Sequence, residues 1–484
     1  MSQQHPAAPD APAAAYAARW RALAVLCLGV LMIVLDMTIV NVALPSIRSD
    51  LGFSEASLAW VVNAYLLTSG GFLLLGGRLG DLFGHRRLFL IGIALFTLAS
   101  MTCGLAGTRA LLVAARALQG FGGAIVDAVA LSLIMDLFTV GAERAKAMGV
   151  FGFVCSAGGS IGVLLGGLLT NALSWHWIFL VNIPIGVAVL VASLRLLPPT
   201  APQSGSAAHL DVAGALTITA ALVLAIYAIV NGNLIGWLSG QTLGTFAAVI
   251  ALLLVFVYIE SRAHTPMIPL RLFRRRNITV ANIVGVLWAA AMFAWFFMSA
   301  LYMQLVLGYS PLQVGLAFLP SNLIMAACSL GLSARLVMRF GNRWPLAIGL
   351  LLAAIGLLLF AGAPVRGSFV LNVLPGMILL GIGAGIAFNP VLLAAMSDVE
   401  SDESGLASGI VNTSFMMGGA LGLAVLASLA AHRSTAQLAD GAERLAALTH
   451  GYHAAFFVGG TFAALAALIG AALLRSPAPA AAIV

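Results

Sequence analysis

Long apolar runs alternate with short polar connections from about residue 23 almost to the end of the chain. Each run approaches the roughly 20 residues that an α-helix needs to cross a bilayer. Fourteen runs can be counted, and they begin near Leu23, Leu58, Leu88, Ala110, Ala147, Ile178, Ala213, Leu243, Val280, Leu312, Leu346, Val370, Ala407 and Phe456. No connection is long enough to form a soluble domain. The pattern therefore predicts an all-α integral membrane protein with fourteen transmembrane helices.

Composition agrees with this class. The 484 residues are 62% hydrophobic and only 8% charged, whereas a soluble globular domain has about 25% charged residues. A soluble protein of this length would have too few charges to cover its surface. The four cysteines lie in apolar runs without the spacing of metal ligands, and we interpret them as small core residues. We expect neither a metal nor a cofactor.

The basic residues predict the orientation, because Lys and Arg concentrate in cytoplasmic connections. With the N-terminus in the cytoplasm, seventeen of the 23 Lys and Arg residues lie inside, five lie outside, and Arg116 lies within the membrane. An even number of spans then places both termini in the cytoplasm. The net charge of +7 indicates anchoring to the cytoplasmic leaflet and not nucleic-acid binding. The excess of Arg over Lys and the many Ala residues suggest a GC-rich bacterial genome, and therefore a bacterial cell membrane as the location.

A short internal repeat suggests two related halves. RLGDLFGHR (78–86) and RLVMRFGNR (335–343) share five of nine positions in register, in equivalent cytoplasmic connections. Internal repetition is a common transporter architecture. The predicted organisation is a cytoplasmic disordered tail (1–21), an N-terminal six-helix bundle (22–197), a linker (198–209), two additional transmembrane helices (210–260), a cytoplasmic basic connection (261–276), a C-terminal six-helix bundle (277–475) and a cytoplasmic tail (476–484).

Six motifs follow one another along these spans. They are LDMTIVNVALP (35–45), GRLGDLFGHRR (77–87), RALQGFGGA (116–124), GGSIGVLLGG (158–167), WHWIFLVNIPIG (175–186) and GYSPLQVGLAFLP (308–320). Together they resemble the fourteen-span drug:proton antiporter branch of the major facilitator superfamily, over nearly the whole chain. The resemblance implies the major facilitator fold and the export of drug-like small molecules in exchange for protons.

Two acids lie well inside the predicted spans, where a charge costs about 2.5–3.5 kcal/mol on insertion scales. Asp36 is the first candidate for a proton-exchanging carboxylate, because removal from water disfavours the charged form and a proton restores neutrality. Alternatively, Asp36 is a structural hydrogen-bonding group between helices, with Asn41 or Thr38 as a partner. The resemblance links Arg116, in the fourth span, to proton coupling, and its alternative role is a structural ion pair or a clamp on a backbone carbonyl.

Asp127 departs from the family pattern, which commonly has Pro at the next position, Ala128. Residues 116 and 127 are close to three helical turns apart, so both face the same side, roughly 16 Å from each other. We expect Arg116 and Asp127 to face one cavity at different depths. Asp127 is a candidate second protonation or cation-binding site, or else a neighbouring hydroxyl or amide satisfies it locally.

Aromatic and amide side chains form the candidate substrate surface. Trp288 and Trp295 are seven residues apart on one helix face and can stack on a flat or cationic drug; the alternative is lipid contact or core packing. Phe415 and Met416 replace an Arg-Gln pair that relatives often carry, which favours an apolar, adaptable pocket. The candidate substrate-binding residues are Asn41, Asn63, Tyr65, Trp288, Trp295, Tyr302, Asn412 and Phe415.

The resemblance also implies a cytoplasmic gate and a helix-packing hinge. The gate candidates are Gly77, Asp81, Gly84, Arg86, Arg87 and Asp136, and the hinge candidates are Gly158, Gly162, Gly166 and Gly167. Asp136 is expected to pair with Arg86 or Arg87; alternatively the basic loop only sets orientation. Small residues four apart allow close approach between membrane helices. Val163 stands where the hinge motif usually has Pro.

These features predict a proton-coupled multidrug efflux transporter that exports hydrophobic or cationic molecules by alternating access. A dedicated exporter of one natural product, which would give self-resistance, is the nearest alternative. A membrane-embedded enzyme is disfavoured, because the chain has no HExxH, CxxC, P-loop or GxSxG motif. The expected partners are a small-molecule substrate, protons and the lipid bilayer, and the expected functional unit is a monomer.

Overall fold

The fold is known from a computed structural model, which describes residues 11–138, 141–198, 211–263, 266, 270–396 and 404–475. In this part of the chain, helices joined by short turns account for the structure, and no strand occurs. The N-terminal helices are α1 (Ala11–Leu51), α2 (Glu55–Leu58), α3 (Trp60–Phe83), α4 (His85–Gly104), α5 (Arg109–Leu137), α6 (Gly141–Ala172), α7 (Trp177–Leu180) and α8 (Asn182–Leu196). Two further helices follow: α9 (Val212–Ile235) and α10 (Gly240–Arg262).

The C-terminal helices include three π-helical segments, in which one turn is wider than in an α-helix. They are α11 (Arg276–Leu301) with the π-segment Tyr302–Val306, α12 (Pro311–Ala327) with the π-segment Cys328–Ser333, α13 (Ala334–Phe340), α14 (Arg343–Ala361), the π-segment Phe369–Val373 with α15 (Leu374–Met396), α16 (Ser404–Ala439) and α17 (Arg444–Leu473). A short 3₁₀ helix (Leu270–Arg274) precedes α11.

Thirteen helical segments of the described chain are long and apolar enough to cross a membrane. Helix α6 adds a segment of 32 residues whose described apolar part is Ile161–Ala172. Together these segments correspond to the fourteen predicted spans. Helix α1 begins at Ala11, so part of the predicted disordered tail (1–21) is helical. The alanines of that stretch favour a helix, because alanine has the best helix propensity.

Local signals set where the helices begin and end. Thr108 accepts a hydrogen bond from the amide of Leu111 at the start of α5, and Ser310 and Gln313 form a capping box at the start of α12. Gly84 separates α3 from α4 with φ of 90°, a left-handed conformation that glycine adopts without a steric penalty. The turn between these two spans therefore depends on a glycine.

The same helix pairings occur in both halves of the chain. In the N-terminal half, α3 and α4 pack on α5, α1 packs on α6, and α8 packs on α1 and α4. In the C-terminal half, α12 and α14 pack on α15, α11 packs on α16, and α17 packs on α11 and α14. Each pairing in the first group has its equivalent in the second, as an internal repeat requires.

The two halves meet through α6 with α12 and through α3 with α16. Near the end of α1, the side-chain amide of Gln304 donates to the carbonyl of Val42 at 2.9 Å. Helices α9 and α10 pack on each other, and α9 also packs on α3 and α16. Much of α10 is apolar and exposed, as expected of a helix that faces lipid.

Candidate functional site

A carboxylate lies at the centre of the N-terminal half without access to solvent. Asp36, on α1, is fully buried, and its Oδ2 is 2.5 Å from Nη1 of Arg116 on α5. Its Oδ1 accepts hydrogen bonds from Nε2 of Gln119 at 2.7 Å and from Nδ2 of Asn182 at 2.8 Å. Three charged or polar side chains from α5 and α8 therefore hold the acid of α1.

The guanidinium of Arg116 is held on several sides. Its Nε donates to the carbonyl of Val61 at 2.9 Å, and its Nη1 also donates to Oε1 of Gln119 at 2.7 Å. Its Cζ lies 4.4 Å from the ring centre of Tyr65 and 5.6 Å from that of Phe179, within range for cation–π attraction. These contacts leave the side chain little freedom to move while Asp36 remains charged.

Ser100, on α4, completes the network. Its hydroxyl accepts hydrogen bonds from Gln119 at 3.1 Å and from Asn182 at 2.9 Å, and it donates to the carbonyl of Phe179 at 2.9 Å. The four side chains that surround Asp36 are each at most 1% exposed. We call Asp36, Ser100, Arg116, Gln119 and Asn182 the buried polar network.

Only one member of this network can exchange a proton near neutral pH. Arginine stays protonated in proteins, and serine, glutamine and asparagine do not titrate in this range. Protonating Asp36 would leave the cation of Arg116 buried without its counter-charge, which costs several kcal/mol. A proton at this carboxylate would therefore change the contact between α1 and α5 substantially.

Sequence reasoning named the acid and the arginine but not their other partners. The alternative partners Asn41 and Thr38 instead bond to backbone carbonyls of their own helix, at 3.3 Å and 3.1 Å respectively. Gln119 and Asn182 were not proposed, although each lies inside a motif quoted above. An isolated amide in an apolar span is the signal that points to such a role.

Asp127 has a different environment on α5. Its side chain is partly buried and makes no hydrogen bond or ion pair with any residue that the structure describes. The predicted local hydroxyl or amide partner is therefore not observed among those residues. Arg116, which we expected to share a cavity with Asp127, is buried and pairs with Asp36.

The side chain of Tyr65, on α3, contacts Arg116 and also the part of α5 that lies one turn before Asp127. Its ring is under Arg116, and its hydroxyl would be 3.1 Å from a Cβ atom placed at Gly123, one helical turn from Asp127. Its hydroxyl is buried and has no hydrogen-bond partner in the described structure. Tyr65 is thus the side chain that connects the surroundings of the two acids.

The aromatic candidates of the C-terminal half lie within its core. Trp288 and Trp295 are buried, and the indole N–H of each has no hydrogen-bond partner among the described residues. Phe415 packs edge-on against Phe293 at 5.9 Å and Phe388 at 6.2 Å, so α11, α15 and α16 contribute to one aromatic cluster. Core packing, the alternative given for the tryptophans, describes their position in this conformation.

The other substrate candidates do not form one surface. Tyr302 donates its hydroxyl to the carbonyl of Pro364 at 2.7 Å, which ties α11 to the loop before α15. Asn412 is exposed, whereas Asn63 is fully buried and both polar atoms of its amide lack a partner in the described structure. An unpartnered buried amide is costly, so Asn63 is the amide most in need of a ligand or a water molecule.

The hinge glycines allow α6 to approach α1 closely. A Cβ at Gly162 would overlap the hydroxyl of Thr38 and would lie 2.9 Å from the carbonyl oxygen of Leu35; one at Gly166 would overlap the carbonyl of Ile39. A Cβ at Gly158 would lie 2.9 Å from Val34. This glycine face therefore contacts α1 directly beside Asp36.

Gly167 points elsewhere, towards Pro311 of α12 in the other half.

The candidates of the gate lie at the opposite end of the N-terminal half. Gly77 faces Ala128 of α5, Arg87 is exposed, and Nη2 of Arg86 donates to the carbonyl of Leu194 at 2.7 Å.

The expected pairing of Asp136 with an arginine of the gate is replaced by another contact. Oδ2 of Asp136 is 3.1 Å from Nδ1 of His85, the residue just before Arg86. His85 is the first residue of α4, and Asp136 lies in the last turn of α5. The side chain of Asp81 lies outside the described residues.

Comparisons with known proteins agree with this arrangement. The profile of the Major Facilitator Superfamily matches residues 26–423. The cephamycin export protein CmcT of Amycolatopsis lactamdurans is 39% identical over 407 residues, 84% of each chain. The puromycin resistance protein pur8 of Streptomyces alboniger is 38% identical over 460 residues, 95% of this chain and 90% of that protein.

A solved structure shows the same fold. The crystal structure of the nucleoside transporter NupG aligns with a TM-score of 0.68 at 12% identity, and the match covers 94% of this chain and 100% of NupG. The helix pairings, the apolar spans and the two sequence relatives lead to one assignment. The chain is a multi-pass membrane protein that belongs to the Major Facilitator Superfamily of transporters.

Proposed function

We propose that this protein is a proton-coupled exporter of hydrophobic or cationic small molecules and belongs to the fourteen-span drug:proton antiporter branch. The observation that carries the proposal is the Asp36–Arg116 pair inside the buried polar network. The names of the relatives, which include the cephamycin and puromycin proteins and the multidrug resistance protein Stp of Mycobacterium tuberculosis, support export as the direction of transport.

Protonation of Asp36 can affect the contacts between the two halves, because Asp36 lies near one of these contacts on α1. Asp36 is six residues before Val42, whose carbonyl accepts the hydrogen bond from Gln304 of the C-terminal half. Six residues of helix span about 9 Å. A proton at Asp36 removes the attraction to Arg116, allows α1 to shift relative to α5, and thereby changes the contact with the C-terminal half. Bundles 22–197 and 277–475 then alternate between two orientations.

We assign Asp127 as a second site for a proton or for the positive charge of a substrate. A carboxylate within a membrane span is costly without a partner, and a proton or an organic cation would remove that cost. Tyr65 contacts Arg116 of the buried polar network and also the part of α5 one turn before Asp127, so occupation of one site can influence the other. Gly77, Asp81, Gly84, Arg86, Arg87 and Asp136 are proposed to form the cytoplasmic gate.

The driving force of one coupled proton is sufficient for useful export. Moving one charge through 100 mV is worth about 2.3 kcal/mol, which maintains roughly a 50-fold gradient of a neutral substrate. Exchange of one proton for one monovalent cation is electroneutral, so only the pH difference would drive it. Use of Asp127 by a second proton would restore a contribution from the membrane potential.

We place the substrate between the two bundles, in contact with Asn41, Asn63 and Tyr65 on one side. On the other side, the proposed contacts are Trp288, Trp295, Tyr302, Asn412 and Phe415. Because the two tryptophans are buried, stacking on a drug requires the C-terminal helices to separate during the cycle. Asn63 differs from the tryptophans, because its buried amide has no partner in the described structure and already needs a polar ligand.

The proposed setting is the cell membrane of a bacterium, with both termini in the cytoplasm and a monomer as the working unit. Export without a catalysed reaction is the proposed activity. A dedicated exporter of one natural product is the second candidate, because several relatives are named for single antibiotics, including cephamycin, puromycin and tetracenomycin C. A narrow resistance spectrum in a sensitive bacterial host would favour this second candidate over multidrug export.

Transport in sealed proteoliposomes with an imposed pH gradient tests the proposal. A panel of cationic and neutral drugs would be compared for the wild type, Asp36→Asn, Asp127→Asn and the control Asp440→Asn, which changes an exposed residue. We expect Asp36→Asn to abolish uphill transport of every drug and Asp127→Asn to impair the cationic drugs most. The control should transport normally. Uphill transport by Asp36→Asn at the wild-type rate would disprove coupling at this residue.

A further inference from the structure

A cavity separate from the buried polar network lies where α1, α4, α5 and α8 come together. It has a volume of about 390 Å³, within the roughly 300–1,000 Å³ typical of small-molecule sites. Its wall contains three arginines, Arg19, Arg86 and Arg195, together with the leucines Leu137, Leu194 and Leu197. Arginine is the side chain best suited to bind phosphate groups, through its planar fork of N–H donors.

The cavity lies at the level expected for lipid headgroups. Arg19 precedes the first apolar run, Arg86 is in the first turn of α4, and Arg195 is in the last turn of α8. All three therefore mark the ends of membrane spans, on the side that carries the α3–α4 connection. That side is the cytoplasmic one in the predicted orientation, where anionic lipids attract basic residues.

One of the three arginines of the wall forms an ion pair with an acid. Nη1 of Arg19 is 3.1 Å from Oε2 of Glu143, so one carboxylate partly compensates one arginine. The guanidinium of Arg86 is fixed against the wall by its hydrogen bond to the carbonyl of Leu194. Arg195 is exposed at the mouth of the same cavity.

An apolar strip leads from the cavity towards the middle of the membrane. Val187, Val191 and Leu194 are 50%, 46% and 59% exposed, and their spacing of four and three residues puts them on one face of α8. Leu194 belongs both to this strip and to the wall of the cavity. A soluble anion would need only the arginines, whereas a lipid would use the arginines and the strip together.

We propose that this cavity binds the phosphate group of an anionic phospholipid, with an acyl chain lying along the exposed face of α8. Binding would hold together the inner ends of α1, α4 and α8, because each contributes one arginine. This lipid would act on the N-terminal half at the end opposite the contact of Val42 with Gln304. The proposal does not depend on the identity of the transported substrate.

Native mass spectrometry of the full-length protein in detergent tests this site. Phosphatidylglycerol would be titrated against phosphatidylcholine with the same acyl chains. The double variant Arg19→Gln/Arg195→Gln removes two charges from the cavity. The control Arg262→Gln/Arg339→Gln removes two exposed charges at the ends of other helices, where each arginine lies against a neighbouring ring.

We expect saturable binding of phosphatidylglycerol to weaken about 25-fold in the cavity variant, because each arginine contributes about five-fold near a membrane surface. The control should stay within about two-fold of the wild type. If the double variant does not fold, Arg195→Gln alone should weaken binding about five-fold, and Arg195→Lys should restore most of it.

Three outcomes would overturn the proposal. Equal weakening in the cavity variant and the control would mean that the arginines attract lipid only through the general positive charge of the cytoplasmic side. Absence of saturable phosphatidylglycerol binding would mean that the cavity has no lipid ligand. Displacement of the bound lipid by millimolar inorganic phosphate or glycerol phosphate would identify a site for a soluble anion instead.

Discussion

Neutralising Asp36 should damage the protein in two separable ways. In Asp36→Asn, one carboxylate oxygen becomes an amide NH₂ group. Oδ2 now accepts from Arg116, and Oδ1 accepts from Gln119 and Asn182. In either orientation of the new amide, its NH₂ group faces an N–H donor of Arg116 or of Gln119 and Asn182. The cation of Arg116 also loses its counter-charge.

The size of the effect follows from the burial of the pair. Removing one partner of a buried ion pair costs about 3–5 kcal/mol, because the remaining charge is uncompensated. Arg116→Gln leaves the carboxylate of Asp36 uncompensated and should be destabilising by a similar amount. The double variant Asp36→Asn/Arg116→Gln contains neither charge and should regain much of the lost stability. With single losses of about 3–5 kcal/mol each, a double variant close to the wild type corresponds to a coupling energy of about 6–10 kcal/mol, above the usual range of about 0.5–3 kcal/mol.

Transport should not return with stability. Thermal unfolding of the four purified proteins in one detergent measures the first effect, and drug uptake driven by a pH gradient measures the second. The double variant should unfold near the wild-type temperature and still fail to transport uphill, because it has no group to carry the proton. Two results would refute this reasoning: single and double variants that are equally destabilised, or a double variant that pumps.

Further predictions concern contacts around the same acid. Gly162→Ala should lower both stability and transport, because its methyl group would overlap a threonine of α1. The control Gly159→Ala would place its methyl group more than 4 Å from any described atom, and it should leave thermal unfolding and drug uptake unchanged. Gln119→Leu should destabilise the protein by about 1–3 kcal/mol through the unsatisfied buried partners, and unchanged thermal unfolding would contradict that role. Tyr65→Phe should keep the fold, since the hydroxyl has no described partner; if this hydroxyl links Asp127 to the network, the pH dependence of drug uptake will shift, and an identical pH profile would exclude the link.

The span positions could be predicted because the signal is local. A helix that crosses lipid must satisfy its backbone internally and must present about 20 apolar residues, and both requirements apply to a continuous stretch of chain. The predicted starts near Ala110 and Ala213 agree with helices that begin at Arg109 and Val212. The count of apolar runs and the motif order were therefore sufficient for the all-α transporter fold.

Local reasoning was less successful at boundaries without an apolar signal. The predicted tail 1–21 is helical from Ala11, because helix propensity there does not need an apolar run. The π-segments of the C-terminal helices have no counterpart in the pattern of apolar residues. The residues that form them, such as Tyr302–Val306, read as ordinary apolar helix.

The chain by itself identified which residues are costly in a membrane: Asp36, Asp127 and Arg116 are conspicuous in apolar spans. Only the tertiary structure decided their partners. Arg116 is 80 positions from Asp36 and Asn182 is 146 positions away, and both are brought to one carboxylate by the packing of α5 and α8 on α1. That same packing leaves Asp127 without a hydrogen bond or ion pair among the described residues. Helix formation depends on neighbours in sequence, whereas the pairing of buried charges depends on which helix faces meet.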